Sequence, residues 1–221
     1  FQRAKIFQKA YLTDMIQELV DIGIKVHCVI IERGWKEIDT VEDYKKALAT
    51  LDMAYKQGFL EKESEIKTLA SLYSQNDVPY KAAVLLEKHI DSGLVTRDDK
   101  NLSSLANAWH AAQHIDKAAK YYGELAKMTN LAKHYSKQGM LLKQDEQFKP
   151  AIVALTKALE LGAKNQGRLH MSIAESHYYL EEYKQAYKAI NLAMKDPKTK
   201  KSAKGWVDFI KDTARRKNVS I

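Results

Sequence analysis

The chain has 221 residues and a formal charge of +8, from 36 Lys/Arg against 28 Asp/Glu, with only nine Gly and three Pro. That scarcity of turn formers excludes collagen-like and low-complexity classes and suits a helical protein. A single cysteine, Cys28, excludes an internal disulfide, and no apolar run approaches the length of a membrane span.

The charge is unevenly placed. Residues 1–41 carry six basic and six acidic side chains, whereas from Lys195 onward there are nine basic and three acidic. A basic tail can meet nucleic acid, anionic lipid or acidic protein, and the simpler reading is a solvated capping helix. No zinc spacing or aromatic-studded basic sheet accompanies the charge, so nucleic acid is not an expected partner. The chain opens at Phe1 with neither Met nor a signal peptide, and we expect a trimmed sequence from which a targeting segment has been removed.

In chain order, Lys9 to Asp21 reads as an amphipathic helix with Tyr11, Met15, Ile16 and Leu19 inward, ended by Gly23. Lys25 to Glu32 (KVHCVIIE) is β-branched and reads as a strand. Its exposed edges predict pairing with the same strand of a second chain, or cover by the first helix, so self-association through residues 25–32 is expected. Next comes Gly34-Trp35-Lys36-Glu37-Ile38-Asp39-Thr40, with Thr40 placed to cap a following helix.

From Phe1 to about Tyr44 this arrangement resembles the C-terminal end of the sugar- and choline-phosphate type nucleotidyltransferases. The carriers are Trp35, Glu37, Ile38, Asp39, Thr40 and Asp43. The resemblance implies that Asp39 would help hold a catalytic Mg²⁺, a fitting role for a hard carboxylate. The family's Gly-rich nucleotide loop, its lysine and its first metal Asp have no counterpart here, so no enzyme activity is expected. The alternative reading is a C-terminal fragment of a Mg-dependent nucleotidyltransferase fused to the rest of the chain.

From Val41 onward the sequence is repetitive. Val41 to Gly58 reads as a helix with Ala47, Leu51 and Ala54 on its packing face. Lys62 to Val95 holds two helices around a turn at Asn76–Pro79, and the pattern recurs over Lys100–Met128, Asn130–Gly162 and Asn165–Lys195. Small residues at Ala82, Ala118, Ala151 and Ala186 align at spacings of 36, 33 and 35, each followed four later by Leu86, Tyr122, Leu155 or Ile190. Thirteen before them stand Leu69, Leu105, Gln138 and Ile173, each followed by a small residue, Ala70, Ala106, Gly139 or Ala174. Three residues beyond these lie Tyr73, Trp109, Leu142 and His177. A small residue lets two helices approach and a bulky one fills the groove beside it. One such hairpin cannot bury its own stripe and must stack on others.

From about Val41 to its end the chain resembles a tetratricopeptide repeat (TPR) protein. The resemblance implies an all-α TPR solenoid, with the N-terminal segment as a small α/β appendage. The expected division is an appendage over 1–41, a TPR array over 42–199 made of an orphan helix and four hairpins, and a basic capping helix over 200–221 carrying Trp206, Phe209 and Ile210 on one side. The two resemblances meet at a shared Glu-Asp-Tyr-Lys helix. A junction there, natural or engineered, is the preferred reading over local convergence. From Ala47 onward, and above all in Lys62–Ile90 and the basic terminal helix, the chain is also similar to bacterial TPR proteins encoded beside TonB-type transport systems, which implies a periplasmic protein assisting outer-membrane uptake.

Chemistry-bearing residues are few. His110 and His114, i,i+4 and read as lying on or near one helix face, lack a third metal ligand. His177 occupies a packing position, and Cys28 reads as a small core hydrophobe. No metal and no cofactor are expected. The TPR resemblance places the first helix of each hairpin on a concave face and directs into it Lys67, Ser71 and Gln75; Lys100, Ser103, Asn107 and His110; Lys133, Ser136, Met140 and Lys143; and Arg168, Met171, Glu175 and Tyr178. Lys67, Lys100, Asn107, His110, Lys133, Lys143, Arg168 and Tyr178 are the candidate peptide-binding residues. Basic heads and amide donors suit an extended protein or peptide partner that is acidic or ends in a carboxylate.

Overall fold

The computed structural model describes residues 41–221, with side-chain surroundings from Lys45 onward. The expected helix over 9–21, the strand over 25–32 and Asp39, and with them the α/β appendage, lie outside the described residues. Ten helices follow one another: α1 (Val41–Lys56), α2 (Glu63–Gln75), α3 (Pro79–Asp91), α4 (Asp99–Ala111), α5 (Ile115–Thr129), α6 (Ala132–Gln144), α7 (Phe148–Glu160), α8 (Gln166–Tyr179), α9 (Tyr183–Ala193) and α10 (Lys200–Arg216).

Each helix packs on its neighbours in sequence, and α6 also touches α8, so the array grows along one direction. The pairs α2/α3, α4/α5, α6/α7 and α8/α9 are the four expected hairpins, with α1 ahead of them and α10 behind. Ala82, Ala118, Ala151 and Ala186 are fully buried where the helices of each hairpin meet, and Leu69, Leu105, Leu155 and Ile190 are as deeply enclosed. Enclosing each large aliphatic side chain contributes about 1.5–3 kcal/mol. Gln138, in the large position of the third hairpin, is only half-buried, its amide over Gly123 of α5. The array is all α-helical among the described residues.

The turn inside each hairpin follows one backbone rule. Asp77, Gln113, Glu146 and Glu181 all take left-handed conformations, with φ between 57° and 61°. The next amide then reaches back five residues, from Val78 to the Tyr73 carbonyl (2.9 Å), His114 to Trp109 (3.0 Å), Gln147 to Leu142 (2.9 Å) and Glu182 to His177 (2.9 Å). These bonds satisfy carbonyls that the helix end leaves open. Between hairpins the left-handed residue is Gly58, Gly93, Asn130 or Gly162. Pro79 opens α3, where a missing N–H costs nothing.

The buried side chains fall into two blocks. One runs from Ile66 to Ala154, the other from Leu155 to Ala214, so they meet within α7. The terminal helix closes the second block, burying Ala203, Val207, Ile210 and Ala214 and exposing Lys201, Lys204, Lys211 and Arg215.

Candidate peptide-binding groove

The first helices α2 and α4 lie side by side and enclose a cavity of about 420 Å³. Lys67, Ser71, Ser74, Ser104 and Asn107 line it over a floor of Ala70, Ala108 and Ala111. The alanines keep the floor low, and the hydroxyls and amides above it are short donors and acceptors of the kind an extended backbone needs. A second recess of about 540 Å³ continues past Lys67 towards Glu63 and Thr68.

Several side chains here are already held. The Tyr122 hydroxyl, from the neighbouring second helix, donates to Asn107 Oδ1. That fixes the amide and leaves its N–H₂ unbonded among the described residues. At the head of the cavity, Thr96 (2.9 Å) and the buried Asn101 (2.9 Å) donate to the Glu63 carboxylate, tying α2 to the start of α4. These two hydrogen bonds hold Glu63 below the ordinary glutamate pKa. Lys67 also pairs with Glu63, at 3.4 Å along its own helix. Lys143 pairs with Glu175 across α6 and α8, so two expected groove positions neutralise each other.

Lys100, Lys133 and Arg168 are exposed and make no ion pair among the described residues. His110 is half-buried, and burial first, then the nearby Lys137 charge, lowers its pKa. Tyr178 packs against the capping helix, its ring 5.8 Å from Trp206 and 5.1 Å from Phe209, and 5.6 Å from Tyr183. Of the eight candidate residues, the structure thus brings Lys67 and Asn107 to one cavity and Arg168 to another near the end of the array.

The histidine reading needs correction. α4 ends at Ala111 and Gln113 turns left-handed, so His114 caps the next helix and does not share a face with His110. It lies against Tyr80 and Trp109. Among the described residues no cluster of His, Cys, Asp or Glu could hold a metal, and no helix is long and apolar enough to cross a membrane. His177 does pack, with Nδ1 2.6 Å from Glu182 across its hairpin turn. The repeat pattern does not single out Asn101, Ser74, Ser104 or the orienting role of Tyr122. Asn101 carried one usable signal: it follows Asp98 by three, and Asp98 accepts its backbone N–H at 2.7 Å as the helix cap.

No protein-family model and no curated protein matches the chain. Solved structures do. MamA MSR-1 superimposes with a TM-score of 0.55 at 21% identity, over 70% of this chain and 87% of that one. A crystal structure of MamA gives 0.54 at 20% identity, over 74% and 92%. The Arabidopsis OM64 TPR domain covers 52% of this chain at a TM-score of 0.46 and 20% identity. At such identities the MamA likeness speaks for the fold. The array is a TPR-type solenoid. The cavity between α2 and α4 lies along the first helices, the elements that the TPR resemblance expects on a concave face.

Proposed function

We propose that the chain is a protein–protein interaction scaffold whose concave TPR groove binds an extended peptide that is acidic or ends in a carboxylate. Asn107 is the observation that carries this reading. Tyr122 holds its oxygen, so its two amide hydrogens face the ligand already oriented. Orienting a donor beforehand lowers the entropy that binding must spend on it. Lys67, Lys100, Lys133 and Arg168 supply positive charge, each exposed enough that a pair with a ligand carboxylate is worth about 1 kcal/mol and falls with salt. We further propose that the scaffold assists an outer-membrane uptake system of the TonB type in the periplasm. That part rests on the resemblance carried by Lys62–Ile90 and the basic terminal helix.

The test is calorimetric titration with a peptide that has a free C-terminal carboxylate and no acidic side chains, beside its amidated twin. The parent binds the free-carboxylate form and discriminates against the amide. Combining Lys100→Glu with Lys133→Glu abolishes that binding and leaves helicity and melting unchanged. Parental affinity in the double variant would remove the groove as the site.

A further inference from the structure

Outside the groove, the first turn of α8 and the connection from α9 to α10 enclose a cavity of about 830 Å³. Lys164, Arg168, Lys195 and Lys198 line it, all exposed and none ion-paired among the described residues. One carboxylate shares the wall, Asp196, whose Oδ1 accepts the Lys198 backbone N–H at 2.9 Å. His170 is there too, its pKa lowered by burial. Elsewhere some long cations meet carboxylates across helices: Lys117 with Glu87, Lys143 with Glu175, Arg97 with Asp91 and Glu124. Around this concavity four cations gather and none of them does.

The imbalance extends over the last 92 residues. Residues 130–221 carry 18 Lys/Arg against nine Asp/Glu, whereas residues 1–129 carry 18 against 19, so the whole excess sits at the end of the sequence that holds this cavity. Like charges held together repel, and a ligand that neutralises them is drawn in from a distance.

We propose that this cavity is a second binding site, for a protein segment with clustered Asp and Glu side chains. No Phe, Tyr or Trp lines the wall and its one ring, His170, is half-buried, so there is no run of rings on which successive bases could stack. The cations face a concavity, and a flat anionic bilayer would reach only its rim. A flexible peptide can enter and place adjacent carboxylates between Lys164 and Arg168 on one side and Lys195 and Lys198 on the other. The side-chain amides of Asn165 and Gln166 are at hand for its backbone. The site is separate from the groove, which it shares only at Arg168.

The probe is an amidated Asp/Glu-rich peptide, with no terminal carboxylate, titrated into the full chain at low and physiological salt. Combining Lys195→Glu with Lys198→Glu weakens binding by about tenfold or more, since each reversal replaces an attraction by a repulsion. The Lys100→Glu, Lys133→Glu variant keeps most of its affinity for this probe. Unchanged affinity in the Lys195/Lys198 variant overturns the site, as does loss of all binding in the Lys100/Lys133 variant, which would put the peptide in the groove. Tighter binding of a single-stranded oligonucleotide or of phosphatidylserine vesicles, lost on the same Lys195/Lys198 reversal, also overturns it. Failure of the groove alone reads differently: the free-carboxylate peptide goes unbound while the amidated acidic one still responds to Lys195 and Lys198.

Discussion

Gly139 offers a sharp test of how the hairpins pack. It takes the small position on α6 that alanine fills at Ala70, Ala106 and Ala174, and a Cβ added there would meet Leu155 Cγ at 2.6 Å and Cδ2 at 2.8 Å, with the Ala151 carbonyl at 3.1 Å. Carbon atoms rest about 3.5–4.0 Å apart, so α6 and α7 must part by about 1 Å or Leu155 must leave its rotamer. Overpacking of this kind costs about 1–3 kcal/mol. Replacing a helical glycine by alanine returns about 1 kcal/mol of propensity. Gly139→Ala is therefore expected to be neutral to destabilising by about 2 kcal/mol. Gly205→Ala isolates the propensity, because an added Cβ on exposed α10 meets nothing within 4 Å, and it should stabilise by about 1 kcal/mol. Gly123→Ala belongs near Gly205→Ala, since its Cβ would meet only the end of the flexible Gln138 side chain, at 2.5 Å. Urea and thermal unfolding followed by far-UV circular dichroism read the series, with about 2–4 °C in Tm for each kcal/mol. If Gly139→Ala raises Tm as much as Gly205→Ala does, α6 and α7 do not meet across Gly139 and the packing argument fails.

Ala118→Leu places three extra carbons in a fully closed contact and should cost about 1–3 kcal/mol in urea unfolding. An unchanged midpoint would show that Ala118 does not separate the two helices. Glu146→Gly relieves a left-handed strain of about 1–2 kcal/mol but gives back part of it as unfolded-chain entropy. A net gain of about 0.5 kcal/mol is expected there, whereas the same change at an ordinary helical residue destabilises. Tyr122→Phe keeps the ring but frees the Asn107 amide, so affinity for the carboxylate-ended peptide should fall several-fold with helicity unchanged; equal affinity would show that the hydroxyl does not orient the amide. Burial lowers the pKa of His89, His110, His134 and His170, helped at the first three by Lys88, Lys137 and Lys133. The unfolded chain then takes up protons first as pH drops below about 6.5, so stability should decline from about pH 7 to pH 5. Asp52 and Glu63, held below their ordinary values, add their loss only below about pH 4.5. A urea midpoint constant between about pH 7 and pH 5 would show that these histidines are not shielded.

The repeat was legible because close helix approach imposes a residue size at fixed spacing, and Ala82, Ala118, Ala151 and Ala186 obey it with complete burial. Gln138 shows where that logic loosens: a long amide stands in a large apolar position and lies over Gly123 instead of filling the core. The groove was harder to read. Position along a first helix says which way a side chain points, not what meets it, and the Lys143–Glu175 pair joins residues 32 apart. The register of Tyr178 points to the groove, yet the helix after the last hairpin is a cap and not another repeat, so Trp206 and Phe209 stand against it. The i,i+4 spacing of His110 and His114 does not put them on one face because the helix stops at Ala111 and the backbone turns at Gln113.

The division of the core within α7 bears on how the chain comes off the ribosome. Every buried side chain of the first block lies at or before Ala154, so that block has all its members while residues 155–221 are still to be made. A stacked array can start folding locally and extend by adding neighbours. The nascent chain can thus bury its first block early and hold only the half-built second one open to water. Leu155, Ala158 and Ala163 would then be the surface on which each later helix settles as it emerges, with α10 the last to arrive.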